Sequence, residues 1–322
     1  MASPSQELRA SNLGALWAII AMLCFSTNDV LVKFLSGDYP LYQVIWFRTI
    51  FGLAFILFVI VPITGSPAML RTKRLRTHII RGLCVVFANL CFFLGLASMP
   101  LAEAVAIFFI SPLLISIFSV VFLKETVGPR RWAAIGMGMV GVLIVLRPGT
   151  SAFQLAALLP LVAAVGYASL HMMTRRIGIS ENTTSMAFYI QLTFFIFSSL
   201  AALLTFDGRF DVHDHPSLEF LFRAWVWPTP RDLLLMAALG LTSSTGGFMI
   251  SRAYSRSEAA LVAPMEYIAM PMAVFWGLTV FGEWPDSMAW AGIALIMVSG
   301  LVLIWREAVA RRRMALDAPT RL

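Results

Sequence analysis

Residues 101–136 read LAEAVAIFFISPLLISIFSVVFLKETVGPRRWAAIG, and residues 258–294 read EAALVAPMEYIAMPMAVFWGLTVFGEWPDSMAWAGIA. In the first stretch Glu103-Ala104 opens an apolar run, Pro112 interrupts it, and Lys124-Glu125 closes it before Trp132. In the second, Glu258-Ala259 opens the run, Pro264 and Pro271 interrupt it, and Glu283 closes it before Trp290. The offset is 155 residues at the first glutamates and 158 at Glu125/Glu283 and Trp132/Trp290. Beyond them Ala133-Ala134-Ile135 faces Ala291-Gly292-Ile293, and Val142-Leu143-Ile144 faces Gly300-Leu301-Val302. The chain resembles itself.

Outward from this pair, a bilayer crossing needs about 20 mostly apolar residues. Such runs occur at roughly 13–35, 42–62, 77–98, 100–123, 131–148, 152–173, 183–205, 230–253, 258–281 and 287–307. Turn or charge clusters separate them, among them Ser36-Gly37-Asp38, Arg147-Pro148-Gly149 and Gly282-Glu283-Trp284-Pro285. The expected fold is an all-α polytopic membrane protein with ten transmembrane helices. A cytoplasmic N-terminus spans 1–12, one five-helix repeat 13–148, a second repeat 149–307, and a basic tail 308–322. Five crossings are an odd number, so the second copy enters from the opposite side and lies inverted. Inverted repeats with Pro-interrupted helices at matching positions are an architecture of secondary transporters.

The composition agrees with the count. Of 322 residues, 59% are apolar and only 13% charged, about half the ~25% of a soluble domain. The mean hydropathy of +0.83 excludes a soluble, disordered or coiled-coil chain. A net charge of +7 points to nucleic acid in a soluble protein, but here the basic residues sit in short loops and report topology instead. With the N-terminus inside, the inner loops and termini hold 17 Lys and Arg and the outer loops 4, namely Arg147, Arg209, Arg223 and Arg231. Both termini are therefore expected in the cytoplasm. Cys24, Cys84 and Cys91 fall inside apolar runs without a CxxC spacing and read as packing residues. The longest loop, 206–229, carries Phe220, Phe222, Trp225 and Trp227, as in a segment resting at the membrane interface. Its His213-Asp214-His215 reads as polar loop rather than metal site.

An ionisable residue at the bilayer centre costs at least ~2.5–3.5 kcal/mol, so each one needs a partner, water or a job. Glu266 stands nine residues into its run, about 12 Å deep at 1.5 Å per residue. Pro264 just before it withholds a backbone donor and kinks the helix. Glu266 reads as a ligand or proton site, against a buried structural pair. Asp29 and Lys33, four apart, share a helix face and can pair, while Lys33 is near enough to the outer end to snorkel. Arg48 can hold a carboxylate bidentately, from Asp29 or from a substrate. Arg81, five residues from the inner end, reads as reaching cytoplasmic phosphates. Asn28, Asn89, Tyr167 and Tyr267 are the neutral candidates for the walls of a site, and His171 joins Glu266 as a candidate for proton coupling. Glu125 and Glu283 close corresponding helices on opposite faces, as caps or as a gate with nearby basic residues. Pro112, Pro264 and Pro271 are the expected kinks.

With these motifs in hand, 82–148 and 240–307 resemble the two EamA-type domains of the drug/metabolite transporter superfamily. Ser26-Thr27-Asn28-Asp29 with Lys33, Phe47-Arg48, His78-Ile79-Ile80-Arg81-Gly82, and Ala263-Pro264-Met265-Glu266-Tyr267 before Glu283-Trp284-Pro285-Asp286 are similar to the branch holding bacterial S-adenosylmethionine uptake carriers. Val127-Gly128-Pro129-Arg130-Arg131-Trp132, running into Ala156-Ala157-Leu158-Leu159-Pro160-Leu161, resembles riboflavin carriers of the same superfamily. The resemblance implies a multi-pass carrier of the bacterial inner membrane. It would move a small polar metabolite, S-adenosylmethionine-like, riboflavin-like or amino-acid-like, by alternating access. Its partners would be that substrate, the lipid bilayer, a coupling proton or cation and a second copy in a homodimer, with no nucleic acid, cofactor or metal. A membrane-embedded enzyme or a channel is the rival, yet HExxH, GxSxG and a Cys/His metal spacing are missing, as are rings of like charge; GxxxxGK[ST] is missing too, so the energy is expected from an ion gradient, exchange or the solute's own gradient.

Overall fold

The computed structural model describes residues 4–123, 128–150, 154–177, 182–211, 215–256 and 265–317, and every regular element among them is helical. The helices are α1 (Pro4–Leu35), α2 (Leu41–Phe55), α3 (Val61–Thr64), α4 (Leu75–Leu96), α5 (Leu101–Phe108), α6 (Ser111–Leu123), α7 (Pro129–Leu146), α8 (Leu158–Ile177), α9 (Thr183–Thr205), α10 (Pro216–Phe222), α11 (Pro230–Arg256), α12 (Ala269–Phe281) and α13 (Ser287–Asp317). A π-helical turn, Ile56–Ile60, joins α2 to α3. Five helical segments are long and apolar enough to cross a membrane: Leu13–Leu35, Leu41–Thr64, Leu75–Leu96, Thr183–Thr205 and Pro230–Ala253. Shorter apolar helices lie at Leu101–Ile115, Trp132–Leu146, Leu155–Leu170, Ala269–Phe281 and Ser287–Val302. This is a multi-pass membrane protein. Helices are the fitting element, because lipid offers no partner for a backbone N–H or C=O.

Side chains sort accordingly. Phe58, Ile63, Leu203 and Leu234 are each more than two-thirds exposed, a surface that hydrocarbon tolerates and water does not. Inside, one cluster joins residues from both halves of the chain, including Ile45, Phe93, Ile107, Phe194, Met236 and Ile296. The helix neighbours are α1 with α11, α4 with α8, α2 with α11, α4 with α9, α1 with α12, α6 with α8, α2 with α9, α5 with α12 and α7 with α13.

The fourth apolar run is two helices, not one kinked helix. It breaks at Phe109–Ile110, before Pro112, which stands second in α6. A first-turn proline loses no helical hydrogen bond, so Pro112 starts a helix rather than bending one. The same happens later in the chain: Tyr267–Ile268 is a turn, and Pro271 is the third residue of α12. The two breaks, the starts and ends of α6 and α12, and the starts of α7 and α13 are all 158 residues apart. Pro264, Lys124 and Glu125 lie outside the described residues.

The long loop is pinned to the bundle. Phe220 of α10 is 0% exposed in the main core, and Trp225 packs edge-on against Trp46 with ring centroids 5.8 Å apart. Trp227, at 89% exposed, is the ring that stays outside. The Ser217 hydroxyl donates to the Leu94 carbonyl at 2.7 Å, the Arg223 guanidinium to the Gly37 carbonyl at 2.6 Å, and the Gln43 amide to the Val226 carbonyl at 2.5 Å. His215 caps α10, its Nδ1 accepting from the Ser217 amide at 3.3 Å. His213 and Asp214 lie outside the described residues, among which no three metal-ligating side chains gather.

Candidate functional site

Asp29 and Arg48 stand on α1 and α2, six residues before the end of one helix and seven after the start of the other. A short turn joins the helices, so both residues lie about 10 Å below the same end of the bundle at 1.5 Å per residue. The third helix in this corner, α11, fixes the level. The Asn28 amide donates to the Leu239 carbonyl at 3.2 Å. Gly240 lies so close to α2 that a Cβ there would meet the Arg48 carbonyl oxygen at 2.6 Å. Asn28 thus ties α1 to α11.

Arg48 is 3% exposed. Its guanidinium carbon lies 4.7 Å from the Phe194 ring centre and 5.6 Å from that of Phe93. Its Nε is buried without an acceptor. Asp29 and Arg48 act on each other electrostatically, yet no salt bridge joins them among the described residues. Phe93 and Phe194 are the side chains that sequence reasoning missed. No spacing signal marks an aromatic that meets an arginine on another helix.

Lys33 does not pair with Asp29. Its ammonium reaches both carboxylate oxygens of Glu283, at 2.6 and 2.8 Å, and the Met99 carbonyl at 2.8 Å. Glu283 also accepts from the Leu101 amide at 3.0 Å, and the Phe281 ring centre lies 4.9 Å from the Lys33 nitrogen. Three acceptors around one ammonium outweigh a lone carboxylate one turn away, because a buried cation needs its hydrogen bonds filled. Glu103 adds its charge to this cluster, and Arg147 pairs with Asp286 beside it. The Arg147 guanidinium and the Ala289 amide hold the Asp286 carboxyl well below the carboxylate range, at about 2.

A second group forms where α12 begins. The charge of Glu266 bears on the hydroxyls of both Tyr167 and Tyr267. Tyr267 is 4% exposed, packs on Phe109 at 5.2 Å, and holds its hydroxyl buried without a partner. Asn89 donates to the Val85 carbonyl at 3.2 Å on its own helix. Phe92, three residues on, begins a row of rings: Phe92 to Phe108 at 4.9 Å, and Phe108 to Tyr167 at 5.2 Å. Phe92 and Phe93 are 6.0 Å apart, so this row links the Arg48 corner to Tyr167. The His171 side chain lies outside the described residues. Arg81 is 4% exposed, buried in the bundle rather than reaching outward.

At the opposite end a cleft of about 490 Å³ is lined by Met69, Arg71, Lys73, Arg74, Asn182 and Ser185, apart from both groups.

Residues 12–147 match the EamA-like transporter family. The chain is similar to an S-adenosylmethionine uptake transporter of Rickettsia bellii, 28% identical over 95% of this chain and 98% of that one. It is 28% identical to a riboflavin transporter of Vibrio cholerae over 93% of this chain and 95% of the other, and 26% identical to a pseudopaline exporter of Pseudomonas aeruginosa over 90% and 95%. A crystal structure of another protein shares the fold, with a TM-score of 0.66 at 22% identity over 95% of this chain and 99% of that one. The first half of the chain thus matches the EamA-like transporter family, and nearly the whole chain is similar to transporters of small metabolites.

Proposed function

We propose that this protein is a secondary transporter of a small polar metabolite in the bacterial inner membrane, with both termini in the cytoplasm. It is built of ten spans in two inverted five-helix repeats, and its halves expose a central site to each side in turn. Asp29 and Arg48 form the outward part of that site. Glu266, Tyr167 and Tyr267 form the deeper part, with Asn89 beside the aromatic row.

The observation that carries the reading is Arg48, a guanidinium 3% exposed inside an apolar span, with no acceptor for its Nε. A structural arginine at that depth would hold a counter-ion, whereas a transport site leaves its charge for the solute. Helix packing supports the repeat. When each helix is exchanged for its counterpart in the other half, α1–α11 becomes α4–α8, α2–α11 becomes α4–α9, and α1–α12 becomes α6–α8. The pairs α2–α9, α5–α12 and α7–α13 map onto their own spans. Phe109 and Tyr267, 158 residues apart, touch across the centre. The named relatives are carriers rather than enzymes.

The test is uptake by purified protein in proteoliposomes, against a panel of amino acids, nucleosides, S-adenosylmethionine and flavins. Saturable accumulation driven by an ion gradient or by preloaded solute is expected. Single-channel currents, or no flux of any solute from folded protein, would defeat the proposal.

A further inference from the structure

The geometry points to the Asp29–Arg48 corner as the seat of an α-amino-acid head group. Arg48 receives the carboxylate, and Asp29 receives the ammonium. This rests on the carrier reading above and narrows its substrate class. Both residues stand at one depth, on neighbouring ends of α1 and α2, and the α11 backbone at Leu239–Gly240 touches the Asn28 amide on one helix and the Arg48 carbonyl on the other. Each bears on the other's charge, yet they do not meet. The Phe93 and Phe194 rings lie against the guanidinium carbon, and its buried Nε–H is left without an acceptor. Ring faces offset part of the burial of a cation but accept no conventional hydrogen bond.

The charges select the ligand. A simple anion would satisfy Arg48 and crowd Asp29 with like charge. A simple cation would do the reverse. A neutral flat molecule would leave both charges bare in a low-dielectric bundle. A zwitterion with its two charges a few ångströms apart answers both at once, and the planar guanidinium matches a carboxylate with two parallel hydrogen bonds. The row Phe93, Phe92, Phe108 and Tyr167 leads away from this seat toward Glu266. It gives the rest of the molecule aromatic walls and a carboxylate at the far end, which suits a side chain that is flat, cationic or both.

Binding, measured apart from flux, tests the assignment. Full-length protein in lipid nanodiscs is titrated with the L-amino acids, S-adenosyl-L-methionine, its decarboxylated analogue and riboflavin, and affinity is read calorimetrically. At least one amino-acid-headed ligand is expected to bind, and loss of its carboxylate should weaken wild-type binding by about 100-fold, the scale of charge-assisted hydrogen bonds. Arg48→Lys should weaken the carboxylate-bearing ligand about tenfold or more and the decarboxylated one less than about twofold, because the bidentate match is what it removes. Equal losses for both ligands in Arg48→Lys, or wild-type indifference to the carboxylate, would overturn the assignment. So would riboflavin binding while no amino-acid-headed ligand does, an outcome that leaves the carrier reading standing. Absence of binding by every amino-acid-headed ligand also overturns it. The wild-type ligand series decides the matter even where Arg48→Lys fails to fold. Binding without flux in proteoliposomes would defeat the carrier reading and keep the head-group seat.

Discussion

The Lys33 ammonium lies 2.6 and 2.8 Å from the two carboxylate oxygens of Glu283, 250 residues away along the chain. The pair ties α1 to the turn after α12, and through the Met99 carbonyl and Leu101 amide it also ties the α4–α5 hairpin. Two elements of the first half and one of the second therefore meet at one ion pair, on the end of the bundle expected to face outward. Alternating access requires such a closure to break once per cycle.

Glu283→Gln should loosen this closure, because the amide keeps the shape but not the charge. Its partner is largely buried, with the Lys33 side chain 10% exposed, so the loss should cost about 3 kcal/mol, the low end for a broken buried pair. In a background carrying Met99→Cys, faster labelling by a membrane-impermeant maleimide is expected than with Glu283 intact. Equal labelling rates would mean that the pair is structural and does not gate.

Glu266→Gln should nearly abolish uptake while leaving expression and gel-filtration behaviour intact. Glu266 bears on Tyr167 and Tyr267 at the inner end of the aromatic row, where a neutral amide cannot attract a cation or carry a proton. Wild-type uptake rates in proteoliposomes would remove Glu266 from the pathway.

Phe194→Leu should raise the KM for uptake by about three- to thirtyfold, the range of a lost cation–π contact, since that ring lies 4.7 Å from the Arg48 guanidinium. Phe194→Tyr keeps the ring and should stay near wild type. If leucine and tyrosine behave alike in an uptake titration, the ring is only filler.

Gly300→Ala should destabilise the protein, because a Cβ there would come within 1.4 Å of the Tyr267 hydroxyl. Overpacking costs about 1–3 kcal/mol, offset by up to about 1 kcal/mol of helix propensity. Combined with Tyr267→Leu the two changes should be less than additive. Additive losses in thermal unfolding would show that Tyr267 does not rest on α13.

Asp286 gives the protein an acid-sensitive contact. Its folded-state pKa of about 2 lies below the ordinary 3.8, so the stabilisation is present at neutral pH and fades as pH falls from about 4 toward 2. Because the Asp286 side chain is 55% exposed, solvent screens the effect and it is small. Asp286→Asn should flatten the melting-temperature profile below pH 4 relative to wild type. Parallel profiles would assign the acid sensitivity elsewhere.

Much of this was legible before any coordinates. Hydropathy is local, so the apolar runs that became α1, α2, α4, α9 and α11 could be counted. The offset of 158 between Trp132 and Trp290 also survives in the positions of α6 and α12. The positions of Asp29 and Arg48 along α1 and α2 needed only the rise of a helix. Pro112 misled: the fourth run breaks at Phe109–Ile110, before the proline, since a proline two residues into a helix costs it nothing.

By itself, then, the sequence determined the all-helical, membrane-bound class and the 158-residue offset between its two halves, because hydropathy and periodicity are properties of consecutive residues, while it misjudged Arg81, which the bundle buries. Only the tertiary structure decided partners. Lys33 has Asp29 one turn away, yet it binds Glu283, because the packing of α1 against α12 presents a carboxylate, a backbone carbonyl and a ring together. Arg48 has its rings from α4 and α9, and no spacing along the chain could announce them. Partner choice inside a membrane bundle is set by which helix faces meet, and that is a property of the whole fold.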